Sequence, residues 1–378
     1  MPWNWQKPDW PHFSWDKTRL AKLEEQFLLE TGVFVGTVKH LGPEDREQLI
    51  VEAMSTEAVM TSEIEGEILD RASVQFSIRK QLGLAVDHRR AGLAEQGIAE
   101  MMVNLYRGFA EPLSDEMLFA WHHMLVQGRR DLTDIGRYRT DAEAMQVVSG
   151  AIHAPRIHFE APPSSAMAEE MEDFVAWFNR TAPGAGQPLP TLTRAGIAHL
   201  YFVSVHPFED GNGRIARAIA EKTLAQGRGQ PALLALAATI FARRKSYYDA
   251  LEAANKDNEI TGWLVWFAAT AIDAQRRSIA RIEFLIDKTR LLDRLRGQLN
   301  DRQEKALIRM LREGPEGFKG GLSASNYVSI TGASPATATR DLADMVQKGA
   351  LIRDGERRHA RYHLAIPSRP VSIAGGAP

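Results

Sequence analysis

Apolar residues recur every three to four positions along most of this chain, which is the period of a helix with one buried face. Gly32 stands just after the first such segment and predicts its end, while Pro43 and Glu44 predict the start of the second. Ser114 is a predicted N-cap. The segments with this period are 17–30, 46–63, 87–109, 114–128, 168–180, 197–205 and 261–312. The sequence therefore predicts a mainly α-helical protein.

The helical period fails between Gln146 and Phe159. Two short runs in this stretch, 147–150 and 157–159, contain β-branched and aromatic residues and flank Pro155. Short runs of this kind, separated by a residue that breaks regular structure, favour two antiparallel strands. The stretch therefore predicts a β-hairpin within the helical protein.

Residues 303–364 follow a different pattern, with short helices before two short strands. Helix 303–311 is followed by 323–327 and by a helix at 334–348, in which Pro335 fits the first turn. Runs 351–352 and 361–364 then flank a polar turn. This order predicts a C-terminal winged helix-turn-helix. The tail from Pro367 is predicted to be disordered.

Composition excludes several classes of protein. The chain has 378 residues, enough for two or three domains, and its 44% hydrophobic and 25% charged content is that of a globular protein. A net charge of -2 excludes a globally basic nucleic-acid coat, and the absence of cysteine excludes disulfides and thiolate zinc sites. The longest apolar run, 231–242, is too short for a bilayer, and the N-terminus lacks a signal-peptide pattern. We expect a cytoplasmic protein without a membrane partner.

The stretch from His206 to Arg217 holds more polar chemistry than a connecting loop needs. It reads His-Pro-Phe-Glu-Asp-Gly-Asn-Gly-Arg-Ile-Ala-Arg. Glycine tolerates left-handed conformations, so 211–213 can place successive backbone N–H groups around an anion, and the N-terminus of the following helix favours phosphate. A glycine pair before a helix is usually only a turn, but here the polar residues coincide in order and spacing. The stretch is a candidate phosphate-binding active site.

Four side chains of this stretch have distinct chemical roles available to them. His206 can be neutral near pH 7 and accept a proton from an attacking hydroxyl. Asp210 is an oxygen ligand suited to one Mg²⁺ that bridges phosphates. Arg214 and Arg217 are three residues apart, so they share a helix face and can both reach a polyphosphate. Together these residues predict phosphate-ester transfer from a nucleotide to an alcohol.

This stretch resembles the signature of the Fic (filamentation induced by cAMP) family, His-Pro-Phe-x-Asp-Gly-Asn-Gly-Arg-x-x-Arg, at every specified position. The resemblance implies a Fic-type helical core with a short β-hairpin flap, and transfer of AMP from ATP to a Ser, Thr or Tyr hydroxyl of a protein, including the enzyme itself. The second glycine favours the AMP-transferring branch over the Doc-like kinase branch. The hairpin at 146–159 resembles the flap that pairs with an extended target segment by strand addition.

The same resemblance implies roles for individual residues. His206 is the general base, Asp210 holds Mg²⁺, and Asn212 with the neighbouring glycine backbone holds the α-phosphate. Tyr248 and Asn255 are seven residues apart and share a helix face, where the family holds adenine. The full set implied for ATP binding is Glu65, Ser149, Gly150, Asp210, Gly211, Asn212, Gly213, Arg214, Ile215, Ala216, Arg217, Tyr247, Tyr248 and Asn255.

A short acidic segment before the core also fits a pattern of the family. An acidic helix end is usually a solvated surface, but in Fic proteins a Ser or Thr, three variable residues and Glu-Gly mark an inhibitory helix. Thr61, Glu65 and Gly66 fit this pattern. The resemblance implies that Glu65 pairs with Arg217 and weakens ATP binding, and that Gly66 lets the two helices approach.

The sequence patterns divide the chain into five parts. These are a Trp-rich and helical N-terminal region at 1–110, the Fic core at 111–260, a helical linker at 261–301, the winged helix at 302–366 and the tail at 367–378. The four tryptophans at positions 3, 5, 10 and 15 are expected to lie across helices as a cap, with a stacking surface for a peptide or nucleotide as the alternative. ATP and a target protein are the expected partners, and a homodimer stays open.

Two other functions also stay open. Glu65 could orient a water molecule, so the protein could remove AMP from a modified protein. The winged helix could bind DNA, since Arg353, Arg357, Arg358 and Arg361 give it basic charge. Against DNA binding, Asp341 and Asp344 lie on the predicted recognition helix and would repel phosphates, and winged helices also dock proteins.

Overall fold

Helices make up most of the computed structural model, which describes residues 2–39, 41–84, 90–151, 154–231, 234–314, 317–318, 320–356 and 359–366. The chain divides into two units. One comprises Met1–Val33 and Glu47–Gln275, and the other comprises Phe34–Arg46 and Arg276–Pro378. The predicted tail and the wing residues Arg357 and Arg358 lie outside the described residues.

The helices occur close to the predicted positions in most cases. Their bounds are α1 Lys17–Lys39, α2 Pro43–Ile64, α3 Arg71–Gln81, α4 Leu93–Arg107, α5 Asp115–Leu125, α6 Met167–Arg180, α7 Thr191–Val205, α8 Asn212–Arg228, α9 Leu236–Ala242, α10 Arg244–Ala254, α11 Thr261–Arg294, α12 Asp301–Leu311, α13 Ala324–Thr331 and α14 Pro335–Gln347. Ser114 caps α5 as predicted, because its side chain accepts a hydrogen bond from the N–H of Met117. Residues 87–89, where the fourth helix was expected to begin, lie outside the described residues.

The predicted end of the first helix at Gly32 is wrong. α1 continues to Lys39 and includes Gly32 and Gly36. A glycine inside a helix costs about 1 kcal/mol relative to alanine, which is too little to end a helix that has further apolar residues to bury. Phe34 and Val38 lie beyond Gly32 and are buried, so their packing stabilises the continuation.

α7 and α8 form the centre of the first unit. Nearly every residue of both helices is buried, including Leu200, Phe202, Ile215 and Ile219. A helix that is buried all round is fixed by packing on every side. The loop between α7 and α8, which contains the 206–213 stretch, is therefore held between two rigid elements.

The predicted hairpin is present. Strands β1, Gln146–Ala151, and β2, Ala154–Glu160, pair in antiparallel fashion with an irregularity between Val147 and Val148. Phe159 lies opposite Val147 and is buried. The C-terminal end of the hairpin is thereby anchored in the unit, while Val148 and Ile157 remain exposed.

In the second unit, α12, α13 and α14 precede an antiparallel pair of strands. These are β3, Leu351–Asp354, and β4, Arg361–Leu364. Leu307, Tyr327 and Leu342 are completely buried in its core. The order of elements agrees with the predicted helix-turn-helix followed by a hairpin. Among the described residues, no helix has both the length and the apolar content that a membrane crossing requires.

Candidate active site

His206 ends α7 in a left-handed backbone conformation, with φ 53° and ψ 58°. Its Nδ1 lies 3.2 Å from the carbonyl oxygen of Val203, so a proton on Nδ1 can be donated there while Nε2 stays free to accept one. Burial lowers the pKa of His206 to about 4. The imidazole is therefore neutral at pH 7, as a general base must be.

Arg139 fixes the backbone on the other side of His206. Its own N–H donates to the carbonyl of Pro207 at 2.9 Å, and its Nε donates to the carbonyl of His206 at 2.9 Å. Its Nη2 donates to the carbonyl of Pro162 at 2.5 Å. The buried guanidinium therefore joins the backbone of His206 to the chain that leaves the hairpin.

Asn212 and Gly211 shape the loop that follows. The side chain of Asn212 accepts a hydrogen bond from the N–H of Phe208 at 3.0 Å and donates one to its carbonyl at 2.7 Å. Gly211 has φ 84°, a conformation that glycine adopts without strain, and it precedes the first turn of α8. Since the first N–H groups of a helix lack intrahelical acceptors, the start of α8 offers donors to an anion.

Arg217 is held by the segment that resembles an inhibitory helix. Its Nε donates to Thr61 Oγ1 at 2.7 Å, and its Nη2 donates to the carbonyl of Thr61 at 2.9 Å. The same Nη2 lies 2.7 Å from Oε1 of Glu65, so the predicted pair is present. Because Arg217 is almost completely buried, this carboxylate compensates a charge that would otherwise be costly.

A second carboxylate of the same segment binds the second arginine. Oε2 of Glu67 lies 2.6 Å from Nη1 of Arg214. This contact was not predicted, although Glu67 stands only two residues after Glu65. Arg214 and Arg217, the two arginines near the start of α8, are therefore both paired with carboxylates from one short stretch of chain.

The two glycines near these pairs have different roles from those expected. Gly66 has φ +88°, and nothing lies within 4 Å of the place where its Cβ would be, so it is needed for the turn rather than for close approach. The expectation that Gly66 lets helices approach is wrong. Gly213 has that role, since a Cβ there would lie 2.2 Å from Oε1 of Glu65.

Asp210 is paired with an arginine that the sequence analysis did not identify. Its Oδ2 lies 2.5 Å from Nη1 of Arg129 and 3.4 Å from Nη2 of Arg214. Burial acts to raise the pKa of Asp210, but Arg214, the N–H of Gly211 and Arg129 outweigh it and hold the pKa below its usual value. The carboxylate is therefore ionised.

An ionised carboxylate at this place fits a divalent cation that arrives with a nucleotide. Such a cation takes oxygen ligands and keeps several waters when only one carboxylate and phosphates bind it. Within the described ranges, no group of three or more His, Asp or Glu side chains could hold a metal alone. Asp210 is thus suited to a metal bound mainly through a substrate, rather than to a permanent metal centre.

A buried carboxyl pair lies next to the two arginines. Glu57 of α2 accepts hydrogen bonds from the N–H groups of Ala237 at 2.6 Å and Ala238 at 3.3 Å. Burial raises the pKa of Glu57 to about 7, and burial together with the charge of Glu57 raises the pKa of Glu221 on α8 well above its usual value. The pair therefore retains a proton at neutral pH and joins α2 to α8.

The predicted adenine residues lie on α10 and at its end. Tyr247 OH is 3.1 Å from Nε2 of His199, and Tyr248 OH donates to the carbonyl of Ile64 at 3.1 Å. Asn255 is the C-cap of α10 and is buried, and its Oδ1 forms no hydrogen bond with any described residue. An unsatisfied buried amide oxygen of this kind is available to a ligand.

Ser149 and Gly150 lie on β1, where the hairpin is fastened to α10. Ser149 Oγ is 2.6 Å from Nε2 of His158, and Nδ1 of His158 is 2.9 Å from Oε2 of Glu252. Arg156 donates to the other oxygen of Glu252 at 2.8 Å. Ser149 is thus engaged within the hairpin, and its contact with a nucleotide stays a prediction.

The side chains of two predicted site residues, Ile215 and Ala216, point away from the site. Both side chains are completely buried in the hydrophobic core of the first unit. They hold α8 in place and do not bring side-chain chemistry to the loop. Of the predicted set, the structure brings together Glu65, Arg217 and Tyr247 in one cluster and Asp210 with Arg214 in another.

Two parts of the chain match known families. Residues 3–84 match a domain of unknown function, DUF4172, and residues 112–224 match the Fic/DOC family. The first range includes the Trp-rich segment and Glu65. The second range includes the hairpin and the whole stretch from His206 to Arg217.

Curated relatives are similar over about a third of the chain. The protein adenylyltransferase fic-1 of Caenorhabditis briggsae is 32% identical over 133 residues, which are 35% of this chain and 22% of the relative. The protein adenylyltransferase Fic of Aedes aegypti is 31% identical over 134 residues, which are 35% of this chain and 23% of the relative. The matched part thus spans less than a quarter of these relatives.

Two solved structures share the fold. A Fic family protein of Desulfovibrio desulfuricans G20 superposes with a TM-score of 0.51 at 21% identity, over 90% of this chain and 95% of that one. A Fic domain containing signaling protein of Bacteroides thetaiotaomicron VPI-5482 gives 0.51 at 18% identity, over 70% and 98%. The predicted mainly helical, Fic-type fold is confirmed, and the chain contains a domain of the Fic/DOC family at residues 112–224.

Proposed function

We propose that the protein is an adenylyltransferase that moves AMP from ATP to a Ser, Thr or Tyr hydroxyl of a protein, itself included. The pairing of both α8 arginines with carboxylates carries the proposal. Guanidinium groups that bind carboxylates at 2.6 and 2.7 Å are placed to bind phosphate oxygens in the same way. The curated relatives named protein adenylyltransferases support the same reaction.

The proposed reaction needs one proton acceptor and a set of phosphate ligands. The hydroxyl oxygen bonds to the α-phosphorus of ATP, the bond from that phosphorus to pyrophosphate breaks, and the hydroxyl proton passes to Nε2 of His206. The N–H groups at the start of α8 bind the α-phosphate, while Arg214 and Arg217 bind the outer phosphates. Adenine lies near Tyr248 and Asn255 in this arrangement.

Asp210 would hold a Mg²⁺ that enters with ATP. When bound, the cation supplies positive charge that stabilises the departing pyrophosphate. The carboxylate is ionised, as a metal ligand must be. To take part it must exchange its present contact with Arg129 for the cation.

We infer further that the fold described here is a restrained form of the enzyme. Glu65 and Glu67 occupy the guanidinium groups that the outer phosphates of ATP need. A carboxylate in that place repels a phosphate in addition to competing for its donors. Movement of residues 65–67 away from α8 would therefore precede productive ATP binding.

Labelled ATP tests the reaction and separates it from its alternatives. Purified protein is incubated with Mg²⁺ and ATP that is radiolabelled at either the α- or the γ-phosphate, and label on protein is measured after electrophoresis. AMP transfer leaves α-label and no γ-label on protein, whereas a kinase leaves γ-label. Chelation of the metal and Asp210→Ala should both stop the labelling. Incorporation of γ-label only would contradict the proposal.

Removal of AMP is tested on the same material. A protein that has accepted α-labelled AMP is isolated and incubated with fresh wild-type chain without ATP. Release of label that depends on Glu65 would support removal as a second activity, since a carboxylate there could orient a water molecule. Stable label would leave transfer as the activity.

The homodimer and the cytoplasmic location stay predictions from the sequence.

One observation in the second unit favours DNA binding as a further function. Asp341 is buried and accepts hydrogen bonds from Arg302 at 2.9 Å and from Tyr327 OH at 3.0 Å. Asp344 pairs with Lys348 at 2.5 Å. Both acidic groups of α14 are thus paired with positive charges within the unit, so they would no longer repel DNA phosphates. The exposed part of α14 includes Arg340.

A gel shift at increasing salt tests DNA binding. We expect duplex DNA to bind and the affinity to fall with salt as phosphate contacts are screened. Arg340→Ala should weaken binding and reduce the salt dependence, whereas Arg296→Ala, an exposed arginine outside α14, should not. If the wild-type chain binds no DNA even at low salt, this second function is wrong.

A further inference from the structure

Asn4 lies between two parts of the candidate active site. It belongs to the short 3-10 helix Asn4–Gln6 and is completely buried. Its Nδ2 donates to Oγ of Ser204 at 2.9 Å, and its backbone N–H donates to the carbonyl of Asn255 at 2.8 Å. Ser204 stands two residues before His206. One residue near the start of the chain therefore joins the end of α7 to the end of α10.

The remaining polar groups of Asn4 are also used. Its Oδ1 accepts a hydrogen bond from the N–H of Trp5 at 2.9 Å, and its carbonyl accepts one from Nδ2 of Asn258 at 3.2 Å. Ser14 then pairs with the chain after α10, because its N–H donates to the carbonyl of Asn258 at 2.8 Å. The backbone and side-chain groups of Asn4 are thus all hydrogen-bonded, which favours this one placement of the residue, since another would leave its buried polar groups unpaired.

Two tryptophans beside Asn4 reach the hairpin. The ring of Trp3 packs edge-on against Phe159 with 5.4 Å between centroids. Nε1 of Trp5 donates to the carbonyl of Glu160 at 2.7 Å, at the end of β2. The base of the hairpin, the end of α7 and the end of α10 are therefore all bound by residues 3–5.

We propose that residues 3–14, which lie in the part of the chain that matches a domain of unknown function, position the active site. Asn4 is a positioning residue for His206, and Trp3 and Trp5 position the hairpin. The inference rests on the proposed transfer of AMP. It adds a role to the N-terminal segment that is separate from inhibition by Glu65, because these contacts are made to Ser204, to Asn255 and to the hairpin and not to Arg214 or Arg217.

The hydrogen bond from Asn4 to Ser204 can be removed from either side. In a Glu65→Gly background, which raises the signal, we expect Asn4→Ala and Ser204→Ala each to lower the maximal rate of self-labelling about tenfold. The ATP concentration for half-maximal rate should change little, because the backbone N–H of residue 4 still binds the carbonyl of Asn255. The double variant should be no slower than either single variant, as expected for one shared contact. Lys22→Ala, at an exposed position of α1 outside residues 3–14, is the control.

Hydrogen exchange gives a second measurement that does not need activity. Trp5→Phe keeps an aromatic side chain and removes the donor to Glu160, so exchange should rise in peptides from 154–160. Asn4→Ala should raise exchange in peptides that include 203–207. Peptides from α3 should be unchanged in both variants, which separates a local effect from general loss of stability.

The outcomes of the two measurements are distinguishable. Slower labelling with an unchanged half-maximal ATP concentration, together with the local rise in exchange, supports the inference. Labelling and exchange equal to those of the parent overturn it. If no variant transfers AMP, including Glu65→Gly alone, the proposed function fails. Hydrogen exchange then decides the positioning role of Asn4 and Trp5 by itself. Increased local exchange would support that role, and unchanged exchange would overturn it.

Discussion

At the scale of single residues, the candidate chemistry depends on how a few charged groups are held. His206 is neutral because burial lowers its pKa to about 4, and Asp210 is ionised because positive charge surrounds it. Arg214 and Arg217 of α8 are held by carboxylates rather than by solvent. The states of His206 and Asp210 are those that AMP transfer requires, whereas the carboxylates must leave the two arginines before ATP binds.

Replacement of His206 by alanine tests the role of the base. We expect His206→Ala to lower the rate of AMP transfer by about 10² to 10⁴, which is the typical contribution of a general base. Circular dichroism should show an unchanged helix content, because the side chain's contact with the carbonyl of Val203 lies only at the end of α7. Labelling by α-labelled ATP measures the rate, and a rate close to that of the wild type would contradict the assignment.

The carboxylates that face the arginines should restrain activity. We expect Glu65→Gly to raise self-labelling about tenfold, the effect of ~1.4 kcal/mol, because it frees Arg217 for a phosphate. Glu67→Gln should give a smaller rise, since Arg214 is also close to Asp210. Glu63→Gly is the matched control, as it removes a carboxylate from the end of α2, two residues before Glu65, and leaves both arginines paired. Equal activation by Glu63→Gly would show that loss of helix stability, and not loss of the pair, is the cause.

The contiguous part of the site could be predicted from the sequence and the rest could not. His206, Asp210, Arg214 and Arg217 stand within twelve residues, so their order and spacing are visible in the sequence. The pair between Glu67 and Arg214 joins residues 147 positions apart, and the pair between Arg129 and Asp210 joins residues 81 positions apart. Contacts at such separations depend on packing, which local patterns do not contain.

At the scale of elements, the contact between α2 and α8 includes the carboxyl group of Glu57, whose protonation depends on pH. Glu57 has a pKa of about 7 in the fold and a usual value of 4.5. A raised pKa contributes stability that is fully present below pH 4.5 and is lost as pH rises through 7. The groups that face Glu57 are Glu221, Arg217 and the N–H groups of α9, all of which favour its ionisation, so burial is the cause of its raised pKa.

Replacement of Glu57 by glutamine should remove this dependence. The amide oxygen of the variant would still accept from the N–H of Ala237, and its NH2 group could donate to Glu221 without needing a proton. We therefore expect Glu57→Gln to lose less stability than the wild type between about pH 4.5 and pH 7, by at most ~3 kcal/mol from a shift of about 2.5 pKa units. Thermal unfolding at several pH values measures the difference. Parallel curves for the two proteins would mean that the pair does not set the pH dependence.

The elements themselves were predictable where the local signal was strong. The hairpin at 146–160 and the start of α14 at Ser334 and Pro335 follow the sequence signals, because strand residues and caps act locally. The end of α1 was not predictable from Gly32, since buried residues beyond the glycine decide it. The helix α3 was not predicted. It is a short, polar helix, and Asp70 caps its N-terminus.

At the scale of the whole molecule, both units are built from stretches that are separate in sequence. The second unit combines Phe34–Arg46 with Arg276–Pro378, and the divisions fall inside α1, α2 and α11. Sequence periodicity identifies continuous segments, so it cannot indicate which separate stretches pack together. The same reason explains why the hydrogen bonds of Asn4 to Ser204 and Asn255 were not foreseen.

The left-handed backbone of His206 has a consequence for the stability of the whole molecule. A residue with a Cβ is strained at φ 53° by about 1 kcal/mol, whereas glycine is not. We therefore expect His206→Gly to melt a few degrees higher than His206→Ala, although both lack the base. Calorimetry of the two variants measures this, and an alanine variant that melts at the same or a higher temperature would contradict it. A glycine here would relieve the backbone strain but would lack the proton acceptor, so the strained position is one where the proposed reaction needs a side chain.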